Sequence, residues 1–396
     1  MLRPLFGLML VARLLYPFFN SPLTHLFSDP LRHWDNGERF LHPSLMGSSD
    51  PILYQAWLHA WRLIGHGDAA TLCLASGLLC AAMPYGWYRA LRELVSRPRA
   101  TIGALIIGAL PESWSLYAYF MNETLLITLL GFCFWLTLRA HRKRTLGAFA
   151  GAAVFWLAAA FTRTVAVPMA AGCMIWLACR SPARLQKAVT GLVLAVLVAV
   201  PAGLHARIKL GFFAPLGNLY FNEIYSLSGR HDITADFGPE GRYRFGCPSF
   251  YNPTFAPFSD WTTARTGVAA IAVDLSQGRR GWIEAKAQAA RENTFPAWRS
   301  RWENALYVFF GQEWPNSDRN SVFGALTFWS RWIWPPVIVA LAYAAGRGRF
   351  RGPAWFLPAC GLGTLLLLLI QSEGVMEGRY REAIDAILIA ALVVVP

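Results

Sequence analysis

Asn122-Glu-Thr-Leu-Leu-Ile-Thr-Leu-Leu-Gly-Phe-Cys-Phe-Trp-Leu-Thr-Leu-Arg139 runs directly into Ala-His-Arg-Lys-Arg144. The stretch is apolar between its ends and closes on a cluster of cations. A helix needs about 20 mainly apolar residues to cross a hydrocarbon core about 30 Å thick. This segment has that length and composition, and the same pattern recurs at 2–20, 69–90, 100–118, 145–162, 165–180, 188–206, 326–345, 353–371 and 382–396. With 122–139 these make about ten expected spans. One buried core of a soluble domain does not repeat in this way.

The composition agrees. Of 396 residues, 55% are hydrophobic, 14% aromatic and only 15% charged, too apolar for a soluble chain of this size. The net charge of +13 comes from short basic clusters between apolar segments. No continuous basic stripe forms, and nucleic acid is therefore not an expected partner. Arg89, Arg92, Arg97 and Arg99 follow the second span, and Arg139, Arg142, Lys143 and Arg144 the fourth. Arg180, Arg184 and Lys187 follow the sixth, and Arg347, Arg349 and Arg351 the eighth. Clusters at alternate connections satisfy the positive-inside rule if all four are cytoplasmic, which puts both termini inside. Leu5 to Phe19 lacks a small-residue cleavage site and carries Arg13 centrally, so it reads as a retained first span. Six cysteines lie in apolar segments and Cys247 in a polar one, with no disulfide framework or zinc spacing.

Two connections on the side opposite the basic clusters are long, 21–68 and 208–324. The expected architecture is all-α. An N-terminal membrane region (1–207) contains a functional first loop at 21–68. A partly helical periplasmic insertion (208–324) follows, and C-terminal membrane helices (325–396) close the chain. Within the insertion, 262–276, 281–293 and 295–311 read as helices, the last interrupted by Pro296. No internal repeat is present.

The first loop reads Phe27-Ser-Asp-Pro-Leu-Arg-His-Trp-Asp-Asn-Gly-Glu38, then Gly47-Ser-Ser-Asp-Pro-Ile-Leu-Tyr54 and an amphipathic run. It resembles the first periplasmic loop of the C-type glycosyltransferases, in the branch of the protein O-mannosyltransferases and aminoarabinose transferases. The second external connection, Pro111-Glu-Ser-Trp and Met121-Asn-Glu-Thr124, is similar to the second external loop of that class. Near the C-terminus, Glu377, Arg379, Tyr380 and Arg381 look like a string that recurs there at the outer end of the last helix.

The resemblance implies an inner-membrane enzyme that moves a sugar from a polyprenyl-phosphate carrier to a lipid, glycan or protein acceptor at the outer face, with inversion. It implies Asp29 as general base, with Asp35, Glu38 and Asp50 as nearby alternatives and Glu123 as the acidic residue that assists it. The acceptor side would comprise His33, Trp34, Glu38, Asp50 and Tyr54. Chemistry supports a carboxylate here, because displacement at an anomeric carbon needs a base opposite the leaving group. Guanidinium groups bind phosphate through paired hydrogen bonds, so Arg379 and Arg381 are expected on the donor phosphate, joined by Arg163 and Lys209.

Structural readings stand beside these. Asp29-Pro and Asp50-Pro can be turn and cap signals, Glu123 can be a helix N-terminal anion, and the arginines can be snorkelling to headgroups. No metal spacing appears among the histidines, and a divalent cation is left open as cofactor. A flippase or transporter of lipid-linked sugars, and an O-antigen polymerase or ligase, are the competing functions.

Overall fold

The computed structural model describes residues 2–26, 28–42, 50–180, 183–217, 233–236, 242–245, 271–274, 277–292, 308–309, 326, 330–370 and 378–395. Helical segments of differing length overlap the ten expected ranges. These are α1 (Leu2–Phe19), α4 (Ala69–Leu91), α5 (Arg97–Ala109), α7 (Asn122–Lys143) and α8 (Leu146–Thr162). The others are α9 (Ala166–Cys179), α10 (Arg184–Leu210), α12 (Trp334–Gly346), α13 (Phe356–Ile370) and α14 (Gly378–Val394). Two helices of the first connection, α2 (Ser28–Glu38) and α3 (Ile52–Gly65), pack on each other. The segments Leu2–Thr24, Ala69–Leu91, Asn122–Lys143, Arg184–Leu210 and Gly352–Leu369 are long and apolar enough to cross a membrane. Leu146–Thr162, Ala166–Cys179 and Trp334–Gly346 are apolar but shorter. The fold is all-α, with the long apolar helices that a membrane protein requires.

The third expected span, 100–118, is corrected. Helix α5 stops at Ala109, a short α6 (Pro111–Ser115) follows, and a 3-10 turn covers Leu116–Ala118. Pro111 is the cause, since it lacks an N–H and disfavours helical backbone at Leu110, whose ψ is 121°. Helix α4 passes through Pro84, which cannot donate to the Cys80 carbonyl four residues earlier.

Both interruptions are repaired by one side chain. Arg13, fully buried in α1, donates from Nε to the Cys80 carbonyl (2.7 Å), from Nη1 to the Gly108 carbonyl (2.7 Å) and from Nη2 to the Ser113 carbonyl (3.1 Å). Its guanidinium lies 5.0 Å from the centre of the Trp114 ring. The charge in the middle of the first span is thus a staple between two broken helices.

Close helix approach is set by small residues. Gly77 of α4 faces the backbone of α1, where an added Cβ would collide with the Leu14 carbonyl oxygen. Gly77→Ala is expected to cost about 1–3 kcal/mol by forcing α1 outward, read as a lower thermal midpoint in detergent. An unchanged midpoint would show that this contact does not set the spacing.

Contacts place the basic clusters together. Arg142 pairs with Glu93 at 2.8 Å, His141 stacks on Trp176 (4.5 Å), Trp176 meets Phe356 (4.2 Å), and Arg99 donates to the Val395 carbonyl. Helices α2 and α3 and the C-terminal end of α10 meet at the other end. Helix α14 lies at the centre of the bundle, with every residue from Arg381 to Ala391 buried.

Within 208–324 the structure adds what a helical reading missed, a small sheet. Strands β1 (Ile233–Asp236), β2 (Arg242–Phe245) and β3 (Ile271–Asp274) are ordered β2-β1-β3, antiparallel for the first pair and parallel for the second. The expected helix at 262–276 is therefore corrected at 271–274, where Ile-Ala-Val-Asp alternates as strands do; 262–270 lie outside the described residues. The expected helix at 281–293 is α11 (Arg279–Glu292), which packs on β3. Of 295–311, only Val308 and Phe309 are described, and both are helical.

Candidate functional site

At the α2/α3 end, acidic, basic and aromatic side chains converge. Asp29 sits in the first turn of α2, where the helix dipole favours an anion. One turn later Arg32 forms an ion pair with it. Arg32 also grips Asp50, with Nε 2.9 Å from Oδ2 and Nη2 3.3 Å from Oδ1. Asn36 donates to Asp50 Oδ2 at 3.4 Å, and Gln55 donates to the Asp50 carbonyl at 2.9 Å. Asp50 is thus held from both helices. Its Oδ1 carries one contact among the described residues, so acceptor capacity is left over.

His33, fully buried, places Nδ1 3.4 Å from Asp50 Oδ2 without hydrogen-bond geometry, so the contact is electrostatic only. Burial pushes its pKa below the usual histidine value; the Asp50 charge opposes that and does not overcome it. His33 is accordingly neutral near pH 7. Its ring meets Tyr54 edge to face at 5.3 Å. Burial holds the Tyr54 phenol well above its ordinary value, although hydrogen bonds to the Thr124 side chain and the Met121 backbone favour the ionised form. These bonds dock α3 on the start of α7.

The His33 shift has a consequence for stability. A histidine that resists protonation when folded takes up its proton more readily when unfolded, so stability falls as pH drops through about 6.5. The thermal midpoint is expected to fall more between pH 7.5 and 5.5 in the parent than in His33→Gln. Equal slopes would contradict the assignment.

The remaining expected residues divide. Glu123, buried in the first turn of α7, pairs with Arg163 at the end of α8. Trp34 stacks on Phe120 (5.3 Å) and carries the Arg62 guanidinium 3.8 Å from its ring centre. Arg62 in turn pairs with Glu38 at 3.0 Å. Asp35 is exposed on α2 beside Arg39, Glu38 and Arg62, and partial burial raises its carboxyl pKa. It is apart from the Asp29–Asp50 centre.

Lys209, near the C-terminal end of α10, donates to the Arg39 carbonyl at 2.5 Å. One turn earlier His205 bonds the Phe40 carbonyl at 2.9 Å and stacks on the Phe40 ring. These contacts fasten α10 to the end of α2 and help to form a small recess, open to solvent, with a cavity volume of about 20 Å³. Asp50, His205 and Lys209 are its polar walls, and Phe161, Ala202 and Leu210 are among its apolar ones. Its lining is mostly apolar with a few fixed polar groups, and its volume is that of about one water molecule.

Arg381 is turned inward. Its Nε donates to Asp385 (3.0 and 3.2 Å), and Nη1 to the Val308 and Phe309 carbonyls (3.1 and 3.0 Å), joining 308–309 to the central helix. Arg379 begins α14, and its side chain lies outside the described residues, as does Glu377. Sequence reading gave no role to Arg32, Asn36, Gln55 or His205, which build the centre. The one signal for Arg32 was its spacing of three from Asp29 on a helix. Among the described residues, no three His, Cys, Asp or Glu side chains are grouped to hold a metal ion. No family model matches the chain, and no curated protein matches it.

Proposed function

We propose that this protein is a polytopic membrane glycosyltransferase of the C type, with ten spans, both termini cytoplasmic and the α2/α3 end facing the exterior. It transfers a sugar from a polyprenyl-phosphate donor to a hydroxyl or amine acceptor. The observation that supports the reading is the convergence of charged side chains at the α2/α3 end, where Asp50 of the first connection and Lys209 from the end of α10 line one small recess among apolar side chains. A polyprenyl-phosphate sugar has the matching chemistry: an apolar tail, an anionic phosphate and an anomeric carbon beyond it. The gathering of basic clusters at the opposite end supports the orientation.

In this mechanism Lys209 supplies positive charge to the leaving phosphate, which departs already stabilised as an anion. Asp50 takes the acceptor proton, because it lines the recess and Asp29 does not. Asp29 shares the Arg32 guanidinium with Asp50, and the Glu123–Arg163 pair stands by the ends of α7 and α8 that border the centre. Arg381 has a positioning role, holding 308–309 of the insertion to the bundle. The 208–324 insertion is assigned acceptor selection.

One observation favours the transporter reading. Arg381, Glu382 and Asp385 are buried charged groups in an apolar bundle, a common mark of a substrate path. Arg381 and Asp385 pair with each other, however, and the chain has no internal repeat of the kind transporters show. The experiment that tests the transferase reading is turnover by protein in lipid. With its best polyprenyl-phosphate sugar, Lys209→Met is expected to raise KM about tenfold or more, in line with loss of a charged contact. An unchanged KM would remove Lys209 from the donor site.

A further inference from the structure

Two carboxylates from separate segments of the first connection share one guanidinium. Arg32 contacts Asp29 through Nη1 and both oxygens of Asp50 through Nε and Nη2. The Asp50 side chain is 5% exposed and that of Asp29 is 16% exposed. Like charges brought this close to each other and shielded from water need a cation between them. Where paired carboxylates serve a reaction centre, that cation is often a divalent metal, bound by oxygens at about 2.0–2.6 Å. Here a side chain from the same helix as Asp29 fills the place. Its fork of five donors fits two oxygens of one carboxylate and one of the other.

We propose that Arg32 is the built-in cation of this centre, bridging Asp29 and Asp50 where a divalent metal ion would otherwise sit, so that removing it converts the centre into a divalent-cation site. The bridge is independent of the reaction catalysed; only its service to Asp50 as base rests on the transferase reading. The vacated space would be lined by the carboxylate oxygens of Asp29 and Asp50, donors suited to a hard cation, while Asn36 keeps its Nδ2 on Asp50 Oδ2.

The test is Mn²⁺ binding to the full-length protein in lipid nanodiscs, followed by electron paramagnetic resonance, for the parent, Arg32→Ser and Arg32→Gln. Arg32→Ser is expected to bind one Mn²⁺ at least tenfold more tightly than the parent, and to lose that site when Asp50→Asn is added. Its thermal midpoint, lower than the parent's, should recover when Mn²⁺ is present. Arg32→Lys, which retains a cation, should gain no site.

The proposal is overturned if the parent itself binds Mn²⁺ in a manner weakened tenfold by Asp50→Asn, or if folded Arg32→Ser and Arg32→Gln gain no site. It is equally overturned if neither variant folds in Mn²⁺-containing buffer, since a metal bridge should hold the two segments as the guanidinium does. Because Mn²⁺ is read directly, these outcomes are separate from whether any sugar is transferred.

Discussion

Asp50→Asn is expected to lower sugar transfer by about 10²–10⁴-fold, the span associated with losing a general base. The amide keeps the shape of the side chain and one acceptor oxygen, so it can still take a hydrogen bond from Arg32. It cannot hold a proton drawn from the acceptor, and kcat should bear the loss, with donor binding little changed. Asp29→Asn should lower kcat far less, because Asp29 reaches the centre through Arg32 and does not line the recess. Single-turnover release of labelled sugar, with the thermal midpoint measured alongside, checks both. A larger loss in Asp29→Asn than in Asp50→Asn would return the base role to Asp29.

Arg13→Leu is expected to destabilise the protein by on the order of 3–5 kcal/mol. The cost follows from its acceptors. The Cys80 carbonyl has lost its helical donor to Pro84, and the Gly108 carbonyl lies at the broken end of α5. Trp114 Nε1 also donates to Gly108, at 2.6 Å, so that carbonyl keeps one partner in the variant. The Cys80 and Ser113 carbonyls lose their Arg13 donors in an apolar setting where water is scarce. Arg13→Lys should recover part of the loss, since an ammonium can serve one or two of these acceptors without the planar fork. Unfolding in mixed micelles measures the difference. An unchanged midpoint in Arg13→Leu would mean that the breaks at Pro84 and Pro111 are stabilised by other contacts.

The bundle was largely legible in the sequence, because about 20 apolar residues and a trailing cation cluster constrain a helix strongly. Its exceptions were written in single residues. Pro111 cut the third expected span, and reading hydropathy across 100–118 averaged over it. Residues 271–274 were ambiguous in the usual way for short apolar runs, and parallel pairing with 233–236 decided for a strand.

The site was legible in its parts and not in its assembly. Asp29, His33, Asp50, Tyr54, Glu123, Arg163 and Lys209 were each marked by residue type and place. No pattern in the chain says that Arg32 bridges Asp29 and Asp50, that Glu123 takes Arg163, or that α10 ends beside Asp50. Those facts depend on helix packing across long separations. Arg381 shows the opposite failure. Its string of polar neighbours suggested the rim, whereas Asp385, one turn on, supplied a buried partner.

The central claim is that the recess cleaves a sugar from its lipid carrier rather than moving the carrier across the membrane. Purified protein in sealed vesicles, supplied with a panel of polyprenyl-phosphate sugars doubly labelled in sugar and lipid, tests it most directly. The account predicts that for one donor the sugar label leaves the lipid label and appears on an acceptor, and that Asp50→Asn abolishes this. Passage of the intact donor between leaflets, with both labels together and no cleavage, would contradict it.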